Sequence, residues 1–391
     1  MEMRDFTLPS GHLRPIVAPN GSSALAFAPD KLPPSVEKAA IGNLAARLAE
    51  ANHALGQLDG IGIFLPNPDL LVRPYIRREA VLSSKIEGTH TSFNELVSFE
   101  AEPSTVSPDG REVLNYVVAL DYGLRHVLDE GITADLVRTI HRQLLQGVRG
   151  SNFSTPGEFR AVQNHIGQTN DIREAHFVPP KPEDAQAALD AFFAYLHRSP
   201  DDVPFLVEAA WVHYQFEVIH PFLDGNGRVG RVLIPLLLAW RRKLTHPLLY
   251  LSPYFESRRS EYYDRLFAVS ARSDWEGWLR YFLEGVREQA LQGITLAHAI
   301  IAMGQIWHAR LNSVSAPLNA HRAADLVHQH IAVTPKLIEL MLGVAPQTAY
   351  NAIEVLVSAG ILQPIRPGAR RFQSYRAGEL AELFRSPPPI N

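Results

Sequence analysis

Apolar residues recur at three- and four-residue spacing through Val36 to Leu58, Val113 to Leu128, Phe205 to Ile219 and Trp275 to Gln289. That period is the turn of an α-helix, so each stretch predicts a helix with a buried face. Period-two alternation is scarce. Ala175 to Val178, bounded by polar residues and then by Pro179-Pro180, fits an edge strand or a hairpin arm. Thr334 to Met341 reads as a helix with Thr334 at the N-cap and Pro335 at N1. Leu342 to Ala345 makes a turn, and Pro346 to Ala359 forms a second helix stopped by Gly360. Ile361 to Arg376 reads as two short strands around Pro367-Gly368.

The pattern predicts a mainly α-helical protein in four parts. Residues 1–110 form a helical N-terminal region, ending in the polar, proline-containing stretch Ala101 to Gly110. Residues 111–290 form a helical core, residues 291–315 a connecting helix, and residues 316–385 a small C-terminal module. The proline-rich end, Pro387 to Asn391, is expected to fray.

Composition narrows the classes. A chain of 391 residues with 46% hydrophobic content can build two or three domains. Lys and Arg number 37 against 41 Asp and Glu, so the net charge of -4 gives no global attraction to nucleic acid or an anionic membrane. With no cysteine, disulfides and thiolate metal sites are excluded. Met1 to Asn20 lacks the basic and apolar regions of a signal peptide. The longest apolar run, Val232 to Trp240, is too short to span a bilayer. The expectation is a soluble, cytoplasmic protein with no membrane partner.

The chemistry concentrates in His220-Pro221-Phe222-Leu223-Asp224-Gly225-Asn226-Gly227-Arg228-Val229-Gly230-Arg231. An apolar helix runs into His-Pro, and the residue before proline is biased away from helix, so the chain turns there. Asp-Gly-Asn-Gly tolerates unusual backbone angles. A second apolar helix then runs from near Arg228 through Leu238. A glycine-rich turn feeding a helix N-terminus is an anion site, because N–H groups and the helix dipole point outward. Arg228 and Arg231, three apart, add two guanidinium forks suited to a polyphosphate. Asp224 offers a hard oxygen ligand of the kind that holds Mg2+ beside phosphates. His220 can take a proton from an attacking hydroxyl at neutral pH. Phe222 is the expected inward anchor of the loop. Each feature alone is more often structural; twelve consecutive residues carrying all of them point to a phosphate-handling site.

This stretch resembles the motif of the Fic family, His-x-Phe-x-(Asp or Glu)-Gly-Asn-Gly-Arg-x-x-Arg, at every specified position. The resemblance implies a Fic-fold helical core with a small β-hairpin flap, and a protein adenylyltransferase that moves AMP from ATP to a Ser, Thr or Tyr hydroxyl. It implies that His220 is the general base and Asp224 the Mg2+ ligand. It implies that Gly225, Asn226, Gly227, Arg228, Val229 and Gly230 bind phosphate and that Arg231 holds the γ-phosphate. Gly157 to Arg160, Gln163 and Ile166-Gly167 resemble the segment ahead of the flap, and Ala175, His176, Phe177 and Val178 the flap itself. In the family the flap aligns the target chain by strand addition. Tyr262 and Tyr263 either border the adenine or pack in the core.

Ser83-Ser84-Lys85-Ile86-Glu87-Gly88 reads as the end of a helix starting near Pro74, with Gly88 as its C′ residue. A glutamate there is disfavoured by the helix dipole and better placed against an external cation. The segment resembles the Fic inhibitory motif (Ser or Thr)-x-x-x-Glu-(Gly or Asn), with Ser83, Glu87 and Gly88 in place. The resemblance implies that Glu87 pairs with Arg231 and takes the space of the γ-phosphate.

The C-terminal helix pair and strand pair resemble a winged helix-turn-helix. The would-be recognition helix carries no Lys or Arg. Gln347, Thr348 and Asn351 are its base-reading candidates, and Arg366, Arg370, Arg371 and Arg376 the phosphate contacts of the wing. Docking or dimerisation ranks ahead of DNA binding here. Alternatives stay open: a Fic enzyme that uses another nucleotide or removes AMP, or a DNA-binding regulator with a nucleotide-sensing core. Self-modification and a homodimer are open as well.

Overall fold

The computed structural model describes residues 5–17, 21, 23–35, 41–64, 67–102, 105–148, 154–167, 169, 171–198, 203–366, 368 and 373–390. Among these the fold is mainly helical. Two helices form its centre: α7 (Phe205–Ile219) and α8 (Asn226–Trp240) are buried almost all round, as their near-continuous apolar runs require. The loop between them, residues 220–225, carries the motif.

Three earlier helices pack against α8 and so frame that loop: α2 (Asp69–Ile86), α4 (Pro108–Glu130) and α5 (Ala134–Leu144), with α3 (Phe93–Ala101) packed on α2 and α4. Ser107 caps α4 by accepting from Gly110 N–H at 3.0 Å, with Pro108 at N1. Thr133 caps α5 in the same way at 3.1 Å from Leu136 N–H. α6 (Pro182–His197) covers α7 on its other side. α9 (Ser252–Ser257), α10 (Arg259–Arg272) and α11 (Trp275–Ser313) close the core, and Trp278 Nε1–H donates to Ala210 O at 2.9 Å.

Three expectations need correction. The N-terminal region is not helical throughout: β1 (Gly11–Val17) and β2 (Ser23–Pro29) form an antiparallel hairpin with Gly11 opposite Pro29. Its alanines and the mid-strand Pro15 hide the period-two signal. The helix expected from Val36 is α1 (Ala45–Phe64), and residues 36–40 lie outside the described residues. The connecting helix is no separate element. α11 runs 39 residues from Trp275 without a break, one face buried along α1. By length and composition it could cross a membrane; a third (33%) of its most apolar window is buried within the fold.

The C-terminal elements are α12 (Leu318–His330), β3 (Ala332–Val333), α13 (Pro335–Leu342), α14 (Pro346–Ser358), β4 (Gln363–Pro364), β5 (Tyr375–Arg376) and α15 (Gly378–Arg385). Thr334 caps α13 as its sequence predicts, and Gly343 (φ 64°) makes the turn into α14. The three short strands pair in the order β3-β5-β4. Of the wing arginines, Arg366 is bound to Glu102 at 2.7 Å, while Arg370 and Arg371 lie outside the described residues.

Candidate active site

The motif loop is built from its backbone outward. α7 ends at His220, which adopts left-handed angles (φ 49°, ψ 60°) while its N–H still donates to Phe216 O at 3.1 Å. Gly225 takes φ 76°, a conformation glycine adopts without steric cost, and α8 begins with the next residue. Asn226 laces the loop together: its Oδ1 accepts from Phe222 N–H and its Nδ2 donates to Phe222 O, both at 2.8 Å. Phe222 is fully buried, stacked on the His141 ring at 3.7 Å.

His141, from α5, fixes the loop from below. Its Nδ1 accepts from Gly157 N–H at 2.8 Å, so the proton sits on Nε2, which donates to Asp224 O at 3.0 Å. Burial lowers its pKa to about 4, which keeps that single tautomer at neutral pH. Arg160 ties loop and flap together. Its Nε donates to His220 O at 2.9 Å, its Nη2 to Pro180 O and its Nη1 to Val162 O.

His220 is set up as a proton acceptor. Its Nδ1 lies 3.2 Å from Glu217 O, a carbonyl, so Nδ1 carries the proton and the Nε2 lone pair is available. Burial pushes its pKa down to about 4, so the ring is neutral at physiological pH. Asp224 is more than half exposed; its Oδ1 accepts from Gly225 N–H at 2.6 Å and stands 3.7 Å from Arg228 Nη2. Its Oδ2 makes no bond among the described residues.

Both motif arginines are buried, and each is held by a carboxylate from an earlier helix or helix end. Arg231 Nη2 lies 2.6 Å from Glu87 Oε1 and 3.0 Å from Ser83 O, while its Nε donates to Ser83 Oγ at 2.7 Å. Arg228 Nη1 lies 2.9 Å from Glu112 Oε2 on α4. Burial alone would raise the Glu87 carboxyl; the charge and hydrogen bond of Arg231, with Arg228 and His220 behind them, outweigh it and hold the group below its ordinary range.

The local sequence explains why Glu87 arrives there. α2 begins at Asp69, five residues before the expected Pro74, which sits inside the helix. It ends in a Schellman turn: Gly88 (φ 95°) donates to Lys85 O and Thr89 to Ser84 O, leaving Glu87 at the C-cap. One and two turns back, Ser83 and Glu79 point the same way. Glu79, 2% exposed, accepts from Tyr116 Oη at 2.9 Å and from Ser252 Oγ at 2.5 Å, which anchors the helix in the core.

Other expected site residues fall as follows. Gly227 stands against the Glu87 carboxylate, so that any Cβ there would collide with it. Gly230 stands against Glu217 in the same way, and Val229 is wholly buried. Ala175, Phe177 and Val178 are buried and His176 is exposed. The flap pairs through one bridge, Ile166 with Phe177, and β2 joins it where Phe27 N–H donates to Val178 O at 2.9 Å. Tyr262 is 1% exposed, stacked on Phe255 at 4.5 Å, and its hydroxyl donates to His213 Nε2 at 2.8 Å. Tyr263 is partly exposed beside it, ring centroids 5.2 Å apart.

Sequence reasoning missed Glu112, Glu217 and His141. His141 had a signal, since it interrupts the apolar stripe Val137, Ile140, Leu144 of an otherwise regular helix. Glu112 and Glu217 look like ordinary helix-surface acids in sequence. Glu217 is instead largely covered, its side chain 11% exposed and its Oε1 without a hydrogen-bond partner among the described residues, and burial raises its pKa to about 7.

The arrangement matches known proteins. Residues 45–125 match the family model Fic/DOC family N-terminal, and residues 131–238 the model Fic/DOC family. The chain is 33% identical over 138 residues to a protein adenylyltransferase Fic of Nematostella vectensis, covering 33% of this chain and 30% of that protein. It is 29% identical over 168 residues to a probable protein adenylyltransferase of Aquifex aeolicus, covering 41% and 47%. The chain thus spans less than half the length of these curated relatives. A Fic family protein from Desulfovibrio desulfuricans G20 shares the fold with TM-score 0.56 at 18% identity, over 88% of this chain and 98% of that one. A Fic domain containing signaling protein from Bacteroides thetaiotaomicron gives TM-score 0.50 at 18% identity, over 65% and 97%. Residues 45–125 and 131–238 are thus similar to the N-terminal and main regions of the Fic/DOC family, and the complete motif lies within the second of them.

Proposed function

We propose that the protein is an adenylyltransferase, that it transfers AMP from ATP to a hydroxyl of a target protein, and that Glu87 restrains it. The observation that carries this reading is the Glu87–Arg231 pair at 2.6 Å, beside a neutral His220 with a free Nε2. Relatives named protein adenylyltransferase support the reaction class.

In the proposed reaction the target hydroxyl oxygen attacks the α-phosphorus of ATP. The bond from that phosphorus to the bridging oxygen breaks and pyrophosphate leaves. The hydroxyl proton passes to His220 Nε2. The N–H groups at the start of α8 and the two arginines stabilise charge on the phosphates, so positioning and electrostatics carry most of the acceleration. An exposed single carboxylate fits Mg2+, which takes one or two carboxylates plus phosphate oxygens and water. Asp224 would hold the ion, which neutralises phosphate charge. The flap would align the target, and burial of Ala175, Phe177 and Val178 gives it a firm base.

With Glu87 on Arg231, a terminal phosphate meets a carboxylate in place of a free guanidinium. ATP is then held without the geometry that transfer needs.

The test is transfer of label to protein from α-labelled ATP, GTP, CTP and UTP in a lysate. The expected outcome is label from ATP that disappears in His220→Ala. Label from another nucleotide alone would replace the donor, and label that survives His220→Ala would remove the base.

A further inference from the structure

Arg228, like Arg231, is held by a carboxylate, and from a different helix. It is 3% exposed, and its counter-ion is Glu112, whose side chain is 13% exposed. Arg228 Nε is buried with no hydrogen-bond partner among the described residues, and its Nη2 reaches no closer than 3.7 Å to Asp224. The guanidinium therefore has donors left over and one strong anion. A buried cation needs such a partner, and removing it leaves an uncompensated charge. A phosphate entering the loop can supply the same negative charge, so Glu112 and phosphate compete for one guanidinium.

The two pairs are separately built. Glu87 ends α2, whereas Glu112 lies in the second turn of α4, placed by the Ser107 cap and Pro108. The link between them is Asp109 Oδ2, which accepts from His90 N–H at 2.9 Å and ties the chain after Glu87 to the same end of α4. Arg228 lies three residues nearer the glycine loop than Arg231. On the cradle reading, with Arg231 at the terminal phosphate, Arg228 would therefore meet the inner phosphates.

We propose that Glu112 sets the affinity for the inner phosphates of the nucleotide, as a second carboxylate that acts at Arg228 independently of Glu87. This rests on reading the loop as a phosphate cradle. ADP separates the two carboxylates, since it has an inner diphosphate and no γ-phosphate.

The experiment is calorimetric titration of the full chain with Mg-ADP, Mg-ATP and AMP, for wild type, Glu112→Gln, Glu112→Asp and Glu87→Gly. Glu112→Gln is expected to bind ADP at least threefold more tightly and to leave AMP within twofold. Glu87→Gly is expected to leave ADP within twofold and to tighten ATP. Unchanged or weaker ADP binding in Glu112→Gln overturns the inference, because Glu112 then only supports Arg228. If Glu112→Gln does not fold, Glu112→Asp carries the same comparison. Its shortened carboxylate loosens the pair, so tighter ADP binding supports the inference and unchanged or weaker binding overturns it. Failure of every variant to bind ADP overturns the cradle reading and the inference with it.

Discussion

Ser83 and Glu87 hold the same guanidinium from one helix face: Arg231 Nε is 2.7 Å from Ser83 Oγ, and Arg231 Nη2 is 2.6 Å from Glu87 Oε1. The four-residue spacing is one helical turn, so both side chains meet Arg231 without distortion of α2. In the proposed restraint the hydroxyl and the carboxylate therefore act together. Ser83→Ala removes one bond of a charged group, worth roughly 1.5–3 kcal/mol. AMP transfer by Ser83→Ala is expected to exceed wild type and fall short of Glu87→Gly. Rates at or below wild type would show that Ser83 has no part in the restraint.

His220 has a pKa of about 4, so its acid limb lies far below neutrality. With Glu87→Gly to lift the restraint, kcat/KM should stay level from pH 6 to 8 as far as this group is concerned. The fall should come only as pH approaches 4 to 5, when the ring protonates and can no longer accept. An acid limb centred near 6.5 would contradict the burial of this ring.

Glu217 ties stability to pH. Its pKa is raised by burial from 4.5 to about 7, so the folded state binds a proton that the unfolded state releases between those values. Stability from this group is greatest below pH 4.5 and is lost as pH rises towards 7. The difference is on the order of 3 kcal/mol. Glu217→Gln should therefore gain on wild type in melting temperature between pH 5 and pH 8. A constant difference between the two proteins across that range would contradict it.

His141 uses both ring nitrogens to hold the loop, on Gly157 N–H and Asp224 O. His141→Phe keeps a ring for Phe222 to stack on and strands the Gly157 donor. The expected cost is about 1–3 kcal/mol of stability. A larger proportional fall in AMP transfer is expected, because the Asp224 backbone loses its anchor. Full activity in the variant, measured well below its melting temperature, would contradict this role.

The helices that build the centre were legible because α7 and α8 are each a nearly unbroken apolar run of helical length. The motif loop was legible because its residue types are all required locally: proline to stop α7, Gly225 for a positive φ, Asn226 to lace the turn. The β1–β2 hairpin was not, since Gly11 to Val17 alternates poorly and its burial comes from the flap and core it meets. Glu112 and Glu217 were hidden for a related reason. An acid on a helix declares nothing until tertiary packing buries it against an arginine or leaves it unpaired. Tyr262 shows the converse: a tyrosine beside the motif is packed into the core, its hydroxyl bonded to His213, which its sequence neighbours do not announce.

The most direct measurement compares wild type, Glu87→Gly and Glu87→Gly/His220→Ala with Mg2+ and α-labelled ATP, in the presence of lysate. Label on protein is expected to rise at least tenfold from wild type to Glu87→Gly and to vanish in the double variant. Equal labelling by wild type and Glu87→Gly would contradict the restraint at Arg231, and undiminished labelling by the double variant would contradict the role of His220.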